Sequence, residues 1–234
     1  MKSFTYLFVN LSCIIIPLIA SFYKDYPFFK SWKYFFKANL IVAFLFIVHD
    51  IYFTSLGVWF FNSDYLINFL DIFNLPIEEV LFFICIPYAC VFTYFVFTKY
   101  VSENLFPVVI YQIVLNFLIL LTLVSSILNY EYLYTFYTSI FLFLMLIYVK
   151  LKKFDIRKII LSYIAIVPFF FLSNGILTGS FIESPIVNYD NNENLNLRMF
   201  TIPVEDIFYG FLLIMSNCLL FDYFKYGSIK RISN

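Results

Sequence analysis

The stretch LPIEEVLFF at residues 75–83 returns, altered but in register, as IPVEDIFYG at residues 202–210. Pro76, Glu78 and Glu79 correspond to Pro203, Glu205 and Asp206 at a constant offset of 127. Upstream, DIYFT (50–54) resembles NGILT (174–178) at an offset of 124, and the difference of three reads as a small loop insertion. Each motif places a proline and two carboxyls at the head of a long apolar run. The chain is therefore read as one unit used twice, and the nature of those runs decides the fold.

The runs are long enough to cross a bilayer. A spanning helix needs about 20 apolar residues, and the sequence predicts such helices at 4–23, 36–56, 77–99, 106–128, 131–150, 158–178 and 203–224. Segment 106–128 carries no charge at all. Over the 234 residues, 63% are hydrophobic and 13% charged, against about 25% charged in soluble domains. Thirty-four Phe and twenty Tyr are far easier to accommodate in lipid than in a water-soluble core. A transmembrane barrel would show alternating strands of about ten residues, and none is present. The expected fold is all-α: a polytopic membrane protein of about seven transmembrane helices, built from two parallel three-helix repeats joined by a connector helix. The expected divisions are 1–100 for the first repeat, 101–129 for the connector and 130–234 for the second repeat. Equivalent helices differ by four in order, so they point the same way, and the repeats are related by an axis along the membrane normal. Both acidic motifs then lie near one face.

Charge sets the orientation. With seven spans, all the basic residues except Lys2 and Arg198 fall on one side. Cytoplasmic loops are the basic ones, so the expected placement is a multi-pass protein of the plasma membrane with its N-terminus outside and its C-terminus cytoplasmic. The basic clusters read as topology signals in contact with anionic lipid. The formal net charge is zero, which gives no reason to expect a nucleic-acid partner. The first apolar segment has one lysine before it, four after it and no small-residue cleavage site, so it is expected to be retained. Cys13, Cys85, Cys90 and Cys218 all lie in predicted spans without metal-ligand spacing, and read as apolar thiols. No metal or cofactor is expected: there is no glycine-rich nucleotide loop, no DxxxD pair for a magnesium-bound diphosphate, and no lysine within the last span to hold a retinal.

The acidic motifs carry the chemistry. Proline and acids suit a helix start, but two acids in both repeats, followed at once by Phe and Leu, exceed that need, and ionisable groups in spans are costly and usually functional. Neighbouring helical residues point about 100° apart, so one acid of each pair can face a cavity while the other turns toward a loop. Residues four apart share a face, which places Glu78 beside Phe82 and Glu205 beside Tyr209. A carboxyl withdrawn from water among aromatic rings can hold its proton and act as a general acid, and a second carboxyl kept ionised can be the base. Arg198 is the expected partner of Glu205 or Asp206. Aromatic faces attract cations, so this combination suits chemistry that passes through a carbocation on an apolar alkene. His49, the lone histidine, is read as a satisfied intramembrane polar group. A carrier for an apolar lipid and a proton-coupled transporter are the competing readings. The second calls for a polar pathway, which helices rich in Phe and Leu do not supply.

HDIYFTSLGVWFFN (49–62), LPIEEVLFFICIPYACVFTY (75–94), SNGILTGSFIESPIVNY (173–189) and RMFTIPVEDIFYGFLL (198–213) together resemble the lycopene cyclase domain family, in its fused two-repeat form. The resemblance covers almost the whole chain. It implies cyclisation of the linear ends of lycopene to β-ionone rings without net redox change, through γ-carotene to β-carotene: an intramolecular lyase or isomerase of carotenoid biosynthesis. Cyclisation of another carotenoid stays open. The resemblance further implies that Glu78, Glu79, Glu205 and Asp206 are the catalytic acids, and Glu78 and Glu205 are expected to lead, with Glu79 and Asp206 in support. Asp50 and Asn174 match polar positions of the repeats, and Thr178 is expected to support the site. Trp59, Asn62 and Tyr209 are expected pocket residues, beside Arg198. The expected partners are lycopene or a related carotenoid and the lipid bilayer. No sequence feature assigns an oligomeric state. The repeats differ at Asp50/Asn174, Phe82/Tyr209 and Glu79/Asp206, which leaves one asymmetric site and two equal sites both open.

Overall fold

The computed structural model describes residues 2–102 and 105–232. Seven of its helices are long and apolar enough to cross a membrane. They are α1 (Thr5–Ala20), α2 (Trp32–Ser55), α3 (Ile77–Tyr100), α4 (Val108–Leu128), α5 (Leu133–Leu151), α6 (Arg157–Leu177) and α7 (Val204–Tyr226). The predicted spans match these within a few residues, and α2 begins four residues earlier than expected. Besides three single-turn 3-10 helices (Lys2–Phe4, Phe28–Ser31 and Ser63–Tyr65), the described residues form six very short strands, which the sequence reading does not contain: β1 (Trp59–Phe61), β2 (Asp71–Ile72), β3 (Leu75–Pro76), β4 (Val187–Tyr189), β5 (Arg198–Met199) and β6 (Ile202–Pro203).

The helices pack in a pattern that respects the repeat. α1 and α2 lean on α3, as α5 and α6 lean on α7. Between the units α2 packs on α7 and α3 on α6, equivalent pairs, while α3 and α7 meet near the centre. α4 packs mainly on α5, and α7 is the most enclosed helix. Lipid tails are as apolar as leucine, so shape and buried hydrogen bonds hold such a bundle together. Asn39 on α2 illustrates this, donating to the Phe83 carbonyl at 2.9 Å and to Asn217 on α7 at 3.1 Å. At the end carrying most of the basic residues, the buried Phe28 ring meets Tyr88, Phe95 and Phe221 with centroids 5.3–5.8 Å apart, contacts each contributing about 0.5–1.5 kcal/mol beyond simple burial.

The opposite end holds the motifs, and its details recur almost residue for residue. β2 pairs antiparallel with β3, and β5 with β6, each hairpin leading straight into α3 or α7. The Ile77 amide donates to the Leu70 carbonyl and the Val204 amide to the Leu197 carbonyl, both at 3.0 Å. Asn74 donates to the Ile51 carbonyl at 3.0 Å, and Thr201 to the Gly175 carbonyl at 3.3 Å, so each turn reaches back to the preceding helix end. β1 pairs antiparallel with β4 and stitches the two units together above the bundle. Gly227 ends α7 in the left-handed conformation, φ 71°, a helix stop that glycine adopts without penalty.

Candidate active site

Pro76 and Pro203 stand immediately before α3 and α7 in extended backbone, with φ/ψ of −63°/150° and −56°/140°. A proline here has no N–H to leave unpaired, and its fixed φ turns strand into helix. The two acids that follow occupy the first helical turn and part company. Glu78 turns back on its own loop, where Oε1 accepts the Ile67 amide at 2.6 Å. Glu205 does the same, accepting the Leu195 amide at 2.9 Å and the Thr135 hydroxyl at 2.6 Å. Neither lines the main cavity. The acids expected to lead are thus the ones that fasten the loops, and the acids expected to support them face inward.

Glu79 and Asp206 point about 100° away from their neighbours, into a largely apolar cavity of about 520 Å3. Tyr6, in the first turn of α1, donates to Glu79 Oε2 at 2.6 Å. Its repeat counterpart Tyr134, in the first turn of α5, donates to Asp206 Oδ1 at 2.6 Å. Asp206 Oδ2 takes two further donors, Asn174 Nδ2 at 2.7 Å and the Tyr189 hydroxyl at 3.0 Å. Asp50, from α2, is the third carboxyl on the cavity. The Tyr209 hydroxyl donates to Asp50 Oδ1 at 2.7 Å, and His49 Nδ1 lies 3.2 Å from the same oxygen. The His49 ring stacks on Phe53 with centroids 4.0 Å apart, in keeping with a satisfied polar group. All three carboxyl residues are buried.

Trp59, Asn174 and Tyr209 line the cavity. Asn62, Thr178 and Arg198 do not. Asn62 pins two loops together, accepting the Asp64 amide at 3.1 Å and donating to Ser184 at 3.1 Å. Thr178 donates to the Asn174 carbonyl at 2.9 Å, and its hydroxyl lies 2.8 Å from that of Thr201. Arg198 pairs with neither Glu205 nor Asp206. Its hairpin carries it sideways, where it donates to the Thr201 carbonyl at 3.1 Å and to Asn191 at 2.7 Å, with the guanidinium 5.6 Å from the Tyr189 ring centre.

The lycopene cyclase family model matches residues 3–97 and 131–224. The chain belongs to the lycopene cyclase family. The two matched segments contain all three cavity carboxyls and both proline–acid motifs, and leave α4 between them. Family membership points to a carotenoid cyclase role in a multi-pass membrane protein. No curated protein and no solved structure matches the chain.

The carboxyl-binding phenols Tyr6, Tyr134 and Tyr189 are the residues that sequence reasoning missed. A signal existed for the first two: at an offset of 128 they are repeat mates, and carrying the alignment back into the first helix of each unit exposes them. Tyr189 has no such signal, because only β1–β4 pairing brings it over Asp206. Burial, and then the nearby Asp206 carboxyl, push the Tyr189 phenol well above its ordinary value of 10.0, so it remains a donor.

Proposed function

We propose that the protein is a lycopene β-cyclase with one asymmetric acid/base site formed by Glu79, Asp206 and Asp50. The observation that carries this reading is the convergence of three carboxyls, from three helices, on one apolar, aromatic-lined cavity. Among the described residues Glu79 takes a single donor, Tyr6, and it is assigned as the general acid, delivering its proton to the terminal double bond of the polyene. The resulting tertiary cation is attacked by the next alkene, a carbon–carbon bond closes the six-membered ring, and the charge moves to the ring. Loss of an adjacent ring proton then leaves the ring double bond. Asp206 is held by three donors, an arrangement complementary to a carboxylate, and is assigned as the base. One proton enters and one leaves, so the step needs no redox partner. Trp59 and Tyr209 offer ring faces to the transient cation. Asp50 lies on the same cavity and is assigned to returning the proton between turnovers. Glu78 and Glu205 are assigned to holding the loops that close the site.

The test is expression in a lycopene-accumulating bacterial host, with chromatographic separation of the pigments. The expected result is mono- and bicyclic β-ring products, and their loss in Glu79→Gln and Asp206→Asn variants of equal abundance. Unchanged lycopene with inserted, folded wild-type protein overturns the reading and returns weight to another carotenoid or to a carrier. We also assign the motif end to the outside of the plasma membrane, on the basic-residue asymmetry. Labelling of an introduced Asp64→Cys by a membrane-impermeant maleimide on intact cells checks this, and protection of that site until lysis reverses the assignment.

A further inference from the structure

The cavity is closed toward the loops and open toward the lipid. At its loop end Trp59 of β1, Val187 of β4 and Leu177 of α6 are all buried. Away from that end its lining includes Ile16 on α1 and Phe169 and Leu172 on α6. These three are 73%, 75% and 57% exposed, so residues that line the cavity also form the lipid-facing surface. α1 and α6 each pack chiefly on α3 and touch one another only lightly. The floor of the seam between them is α3 itself, and the cavity follows that helix from Glu79 to Thr93. Across the seam Cys13 and Ser173 come into contact, and both line the cavity.

Length limits what the cavity can hold. From Glu79 to Thr93, α3 advances roughly 21 Å at 1.5 Å per residue. An extended C40 polyene is about as long as the hydrocarbon core is thick, roughly 30 Å. With one end group at the carboxyls, the far part of the chain has no room inside. Resting on the cyclase reading above, we propose that the α1–α6 seam is a lateral mouth. A linear C40 polyene slides through it from the bilayer, end first, and leaves its far end in lipid. The far end cannot reach the carboxyls in that pose, so the monocyclic product withdraws through the seam and returns reversed before the second ring closes.

The experiment closes the seam reversibly. Ser173→Cys is introduced opposite the native Cys13, the protein is placed in phosphatidylcholine vesicles, and the pair is oxidised before linear substrate is delivered from donor vesicles. Peptide mass mapping verifies the disulfide between Cys13 and the introduced thiol, whose formation requires close approach of the two backbones. The expected result is loss of both ring products on oxidation and their recovery on reduction, with oxidised wild-type protein unaffected. Full cyclisation by verified cross-linked protein overturns the mouth. If the disulfide does not form, Ile16→Trp and Leu172→Trp decide the matter. Narrowing the seam should raise the ratio of monocyclic to bicyclic product severalfold, because the second ring needs a second passage, and an unchanged ratio in both variants overturns the proposal. Wild-type protein that forms no cyclic product in these vesicles refutes the cyclase reading itself, an outcome separate from either of the others.

Discussion

At the scale of single residues, adjacent acids of the same chemical type meet different surroundings. Glu78 and Glu79 are one residue apart, yet one oxygen of Glu78 is spent on the Ile67 amide while Glu79 faces the cavity. Glu78→Gln should therefore keep most cyclase activity, because its amide oxygen can still accept the Ile67 N–H, whereas Glu78→Ala should lose stability by about 0.5–1.5 kcal/mol with that bond. Glu79→Gln should instead lose activity by about 10²–10⁴-fold with little change in melting temperature. Pigment analysis paired with thermal denaturation in detergent separates the two, and an inactive Glu78→Gln beside an active Glu79→Gln would restore the first acids as leaders. Tyr189 supplies a prediction in pH. Its folded value lies well above 10.0, from burial first and the Asp206 carboxyl second. The stabilisation that goes with a raised value is complete below the unfolded value, falls as pH rises above it, and is gone once pH has passed the folded one. Tyr189→Phe should accordingly lower the rate by the same factor at neutral pH and at mildly alkaline pH. A deficit that shrinks with rising pH in a pH–rate profile would show that the phenol ionises within that range.

Among the elements, the hairpins before α3 and α7 carry matched backbone strain. Phe73 and Phe200 head equivalent turns with φ of 59° and 57°, a conformation unusual for a bulky side chain. Both rings are exposed, at 85% and 87%, as befits aromatic groups seated at a membrane interface. Phe73→Asn relaxes the backbone without disturbing the reach of Asn74 to Ile51, and should raise stability in detergent by about 1 kcal/mol, measured as a higher melting temperature. A lower one would mean that the ring, not the backbone, dominates at that tip. These hairpins also mark where sequence reading stops. The spans were legible because twenty-residue apolar runs have few other uses, and the motifs were legible because they occur twice. Strands of two or three residues carry no periodicity to read. The inward member of each acid pair was equally hidden. α3 and α7 are apolar on nearly all sides, so their pattern fixes the 100° between neighbours but not which neighbour faces the cavity.

For the whole molecule, the decisive feature is a cavity lined from both of the halves that otherwise repeat. Asp50 and Glu79 come from the first unit, and Asp206, Tyr209 and Asn174 from the second, with Tyr209 reaching across to Asp50. A strictly symmetric pair of sites would need a carboxyl at residue 174 and a hydroxyl at residue 82, where the chain has Asn174 and Phe82. On the proposed reading, the differences between the repeats leave two potential half-sites as one site with distinct partners on each carboxyl. The divisions at 1–100 and 130–234 are proposed on the same ground, as units that fold alike but catalyse only together. Either unit expressed alone should leave lycopene unchanged. Co-expression of a first fragment through α3 with a second beginning at α4 should restore both rings, because α2–α7 packing and the β1–β4 pair hold the units without a covalent link. Single substitutions in the intact chain make the sharper case. With one shared site, Glu79→Gln and Asp206→Asn each abolish the first ring as well as the second, and no monocyclic pigment accumulates. With one independent site per unit, each variant keeps an intact site and goes on closing rings. Pigment ratios in the two single variants therefore decide between one site and two, and substantial cyclisation by either variant would mean that each repeat is an enzyme in its own right.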